Sequence, residues 1–124
     1  MKYAMAYAHY MGCPVHDSLG SPELEIFNNV HDLLTWMVGN AYDVEIANIK
    51  SIDKNIEIVT HNHTSSHSVE YVEVGVYVHR AVNPSLAFIL ERSPHDKHAT
   101  IPRIGSDWVS INDIHEKMRI IEEE

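Results

Sequence analysis

Three histidines fall within nine residues in the stretch THNHTSSHS, Thr60 to Ser68, at the spacing H-x-H-x3-H. Imidazole is the commonest metal ligand and the side chain best suited to carrying a proton near neutral pH, so the spacing raises two chemistries. If the segment is the tip of a hairpin, His61 and His63 project from one face of a strand and His67 from the strand opposite. Such a trio closes on Zn²⁺ and leaves a fourth position for water. With His61, His63 and His67 as metal ligands and Glu57 or Glu73 as general base, the chain would be a small zinc-dependent hydrolase. The competing expectation is a polar tip with no cofactor. The groups that would orient the rings are only Thr60, Asn62 and the serines, and no carboxylate lies within the tip itself.

Other catalytic signals are absent from the sequence. It has no G-x-S-x-G and no C-x-x-C, and five glycines are too few to hide a phosphate cradle. His95-Asp96-Lys97-His98 sets a cation between its two histidines, which makes it a poor ligand set. Cys13 is the only cysteine, so no intrachain disulfide forms and a cytoplasmic location is expected. No apolar run approaches the length of a membrane span, and the start MKYAMAYAHY alternates instead of forming the solid apolar block of a signal peptide.

The elements that would position these residues follow from periodicity. Lys2–Met11 alternates as a strand, with Tyr3, Met5, Tyr7 and His9 on one side and Ala4, Ala6 and Ala8 on the other, the alanine side being open to close approach by a helix. Ser21-Pro22-Glu23 has the form of a helix start, and Leu24, Phe27, Leu34 and Val38 follow at helical spacing up to Gly39-Asn40. The period then changes to two: Val44–Ile52, Asn55–Asn62, His67–Arg80 and Pro84–Arg92 are expected strands, and their short links make them antiparallel. Ser93–Asp107 is expected to be loop. Ser110, with Asp113 three residues on, caps a last helix whose stripe is Ile111, Ile114, Met118 and Ile121. The expected fold is a single two-layer α+β domain, β-α-β-β-β-β-α, with an antiparallel sheet of about five strands and both helices on one face.

Alternation also sorts the middle hairpin. Even positions Ile56, Ile58, Val72, Val74, Val76 and Val78 form an apolar face, and odd positions Glu57, His61, His63, His67, Tyr71, Glu73, Tyr77 and His79 form a polar, aromatic one. The expected register sets His63 against His67, Ile58 against Val72 and Glu57 against Glu73, or is displaced from this by two.

Eighteen acidic against nine basic residues give a formal charge of −9, which repels nucleic-acid phosphates, and the cations are scattered along the chain. Direct nucleic-acid binding is therefore not expected, nor is a membrane partner. An acidic surface suits a basic protein, including a nucleic-acid-binding protein whose groove the carboxylates would fill. The first functional expectation is accordingly a binding module that docks on and inhibits or regulates such a partner, with Glu57, Tyr71, Glu73, Tyr77 and His79 as contacts. Size and composition are of the kind found in phage- or plasmid-borne inhibitors of defence systems, anti-CRISPR proteins and toxin immunity proteins. The second expectation is the zinc hydrolase. A third is a homodimer formed through the open sheet.

Overall fold

The pattern change at Asn28-Asn29 organises the first third of the chain. Asn29 caps a helix by accepting the Asp32 backbone N–H at 2.9 Å, so α1 (Val30–Asn40) begins there and not at Ser21. The preceding ELEIF is period-two as well as helical, and it forms strand β2 (Glu23–Phe27), which pairs antiparallel with β1 (Tyr3–His9). The computed structural model describes residues 1–11, 19–65 and 68–124; Cys13 and His67 lie outside them.

The remaining strands are β3 (Val44–Ser51), β4 (Ile56–Ser65), β5 (Ser68–Val78), β6 (Leu86–Arg92), β7 (Thr100–Ile104) and β8 (Asp107–Trp108), followed by α2 (Ile111–Glu123). All pair antiparallel in one sheet of order β2-β1-β3-β4-β5-β6-β7-β8. The α+β class is as expected, but the sheet has eight strands and not about five. The extra strands are β2, taken from the expected helix, β7, taken from the expected loop, and β8, which starts on that loop's last residue. Pro102 argues against a strand because it has no N–H to donate; it is tolerated next to the sheet edge, where its carbonyl accepts the Val109 N–H at 3.1 Å.

Both helices bury their apolar stripes in one core. Leu33, Leu34 and Met37 of α1 and Ile114, Met118 and Ile121 of α2 meet Tyr3, Met5, Ile49, Ile58, Val72, Val74 and Leu90 of the sheet. Helix α2 starts on the anticipated capping box, with Ser110 and Asp113 exchanging hydrogen bonds. At its far end Glu122 accepts from the buried Tyr3 hydroxyl at 3.2 Å. Burial, and after it the Glu122 charge, pushes the Tyr3 phenol well above its ordinary range. The helix layer thus covers the Tyr3/Met5/Tyr7 side of β1 and not the alanine side. The expectation that a helix approaches the alanines is overturned, because the larger side chains bury more apolar area.

The face opposite the helices carries no further layer among the described residues. No helix among the described residues is long and apolar enough to cross a membrane.

Candidate functional site

The uncovered face is built from the residues that alternate with the core. In β4 and β5 the expected parity holds: Ile56, Ile58, Val72, Val74 and Val76 are buried, while Glu57, His61 and Glu73 are exposed and Tyr71 and Tyr77 half-buried. The expected register does not hold. Ile58 faces Val76, Glu57 faces Tyr77, His61 faces Glu73 and His63 faces Tyr71, so each partner lies four residues further along β5 than anticipated. An even slide leaves every side chain on the same face, so alternation by itself cannot distinguish the two registers. The proposed Glu57–Glu73 like-charge pair is therefore dissolved. Beyond His63 the ladder slips by one at Glu70, and this bulge turns the odd-numbered Val69 into the core.

Three rows of side chains cross the strands on this face. The first runs Lys50, Glu57, Tyr77; the second Val59, Gly75, Ala87; the third His61, Glu73, Ile89, Arg103, Trp108. The middle row is made of small side chains, and it floors a depression of about 320 Å³ walled by Tyr77, Pro84, Ile89 and Gly105, with His61 and Glu73 at its rim. Gly75 allows a close approach here. The Tyr77 ring folds back over it, and a Cβ at position 75 would stand 3.0 Å from Tyr77 Cε2.

Each anticipated site residue now has a place. Tyr71 stacks on His63, with ring centroids 4.2 Å apart and planes 10° from parallel. His63 Nε2 lies 2.9 Å from Glu73 Oε1, shut away from solvent but outside hydrogen-bond alignment. His79 is not on β5; it sits in the turn that follows, at φ 53°, with its N–H donating to the Asn55 carbonyl at 3.0 Å. Glu57 stands between Lys50 and Tyr77 in register. Tyr3, Tyr7 and His9 do not join this face: both tyrosines are buried under the helices, and His9 lies 3.2 Å from Glu23.

Of the histidine trio, His61 and His63 share the uncovered face, and His67 lies outside the described residues. No cluster of three metal-binding side chains occurs among the described residues. Thr60 and Asn62, considered as supports for the imidazoles, point elsewhere. They donate to the Ile46 and Val44 carbonyls at 3.0 and 3.2 Å and so bridge β3 to β4 where the backbone ladder, confined to Ile49–Ile58 and Lys50–Glu57, has ended.

The depression itself was not anticipated, although a glycine inside a valine-rich strand is a signal of close approach. Arg103 was missed because Ser93–Asp107 was expected to be loop, and Trp108 because it fell between that loop and the helix expected from Ser110. Arg103 sits 5.9 Å over the Trp108 ring and 3.6 Å from Glu91, closing the far side of the face. Comparison with protein-family models, curated proteins and solved structures gave no match, so the chemistry of this face carries the functional argument.

Proposed function

We propose that this chain is a non-catalytic binding module that seats a basic protein on the uncovered sheet face, with a lysine or arginine of that partner inserted beside Glu73. The observation that carries this reading is the depression over Gly75. Its walls are apolar and aromatic and its rim holds a carboxylate, the complement of a side chain with an apolar stem and a cationic head. The Tyr77 ring adds a surface for cation–π contact. Tyr71, held flat by His63, and Glu57, beside Tyr77, extend the contact on either side, and His79 borders it at the turn.

The chain's charge of −9 supports a basic occupant, draws such a partner in, and disfavours a second copy of this chain on the same face. A protein whose own ligand is nucleic acid presents the required lysines and arginines in a groove. Occlusion of that groove makes the module an inhibitor or immunity protein acting in the cytoplasm.

The test uses a labelled oligo-arginine peptide and fluorescence anisotropy across a salt series. Ala87→Trp fills the depression without changing charge, and Glu73→Gln removes the rim charge without changing shape. Both should weaken binding well beyond the control Glu124→Gln. Binding unaffected by Ala87→Trp, with Glu73→Gln no worse than the control, would reduce the attraction to general charge and defeat the proposal.

A further inference from the structure

Lys50, Lys54 and Arg80 are far apart in sequence and appear scattered there, yet the fold gathers them. They come from β3, the β3–β4 turn and the β5–β6 turn, and they line one polar cavity of about 180 Å³ with Ser51, Asn55 and Glu57. A third of the cations in a chain of charge −9 thus surround one space. Glu57 is the only carboxylate in its lining. None of the three cations has a carboxylate at ion-pair distance among the described residues. The nearby Asp53 carboxylate is turned away, accepting the Lys2 backbone N–H at 3.0 Å. Lys54 is held in place by donating to the Glu122 carbonyl at the end of α2.

We infer that this cavity is a binding site for the phosphate group of a small phosphate monoester. Three ammonium and guanidinium charges around one carboxylate leave a net excess of two, which a phosphate dianion matches. The Arg80 guanidinium offers paired donors for two phosphate oxygens, and the lysines offer point charges. The Ser51 Oγ already accepts the Asp53 and Lys54 backbone N–H groups, at 3.2 and 3.1 Å, so its own hydrogen is available to donate. The Tyr77 ring forms a wall of the same cavity and supplies a stacking surface for the rest of the ester. The site adjoins the docking face through Tyr77 but does not depend on that reading.

Amide chemical-shift titration of the full chain with phenyl phosphate at low salt is the test. Saturable shifts are expected at Ser51–Asn55 and at His79–Ala81. Arg80→Gly and Lys50→Ala should each weaken binding about tenfold or more, the usual scale for losing a charged hydrogen bond, while Lys117→Ala on α2 leaves it unchanged. Glycine suits the backbone at position 80, so Arg80→Gly remains folded and the comparison stays valid. Shifts that do not saturate, or an equal loss in Lys117→Ala, would overturn the assignment.

Discussion

Replacing Arg80 by glycine should stabilise the protein, and the size of the gain follows from the turn. His79 and Arg80 occupy the two central positions of a turn closed by the Ala81 N–H on the Val78 carbonyl at 3.1 Å, with φ of 53° and 57°. Left-handed backbone costs an ordinary L-residue about 1–2 kcal/mol, and glycine pays none of it. Glycine in turn loses more chain entropy on folding, about 0.5–1 kcal/mol, so the net gain is roughly 0.8 kcal/mol. For 124 residues the unfolding entropy is about 0.26 kcal/mol per kelvin, which turns that gain into about 3 °C in Tm. Thermal and urea unfolding of Arg80→Gly and Arg80→Ala separate the two contributions. Both variants lose the guanidinium, but only glycine relieves the backbone, so Arg80→Ala should stay near wild type while Arg80→Gly rises. Equal stability of the two variants would refute the strain argument. A rise in Tm accompanied by loss of phosphate binding would mean that the strained turn is retained for the position it gives Arg80.

Other outcomes follow from the same geometry. Val72→Ala, at a fully buried site facing Asn62, should cost about 2–3 kcal/mol in urea unfolding, from lost apolar area and the void left behind. Thr60→Val with Asn62→Leu removes both side-chain bridges from β4 to β3, and hydrogen exchange should quicken in Val44–Ile46 while the Ile49–Ile58 pair keeps its protection. Hydrogen bonds from Ser110 hold the Asp113 carboxyl below its usual range, and Arg119 does the same for Glu116. Since both values are depressed on folding, their share of stability is complete above the ordinary carboxylate range and is lost as pH falls through the lowered values. Asp113→Ala should therefore flatten the fall of Tm between about pH 5 and pH 2. On the proposed docking reading, which routes no contact through a metal, oligo-arginine binding should survive EDTA; loss of binding on chelation would favour the zinc reading of His61 and His63.

Much of the chemistry was already set by the residue types and their alternation. The period of two in Ile56–Asn62 and Val72–Val78 dictated which side chains go dry, because only one face of a sheet can meet the helices. The Ser110–Asp113 cap and the break at Gly39-Asn40 were equally local, since each depends on backbone groups within a few residues. Three things were decided by tertiary structure alone. Leu24 and Phe27 fit a helix as well as a strand, and pairing with β1 settled the matter. Parity cannot sense a slide by an even number, so the partners of Glu57, His61 and His63 waited on the bulge at Glu70 and the full length of β4. The small row Val59–Gly75–Ala87 and the cation group Lys50–Lys54–Arg80 exist only once strands and turns distant in sequence lie side by side, because a cavity is made by neighbours in space.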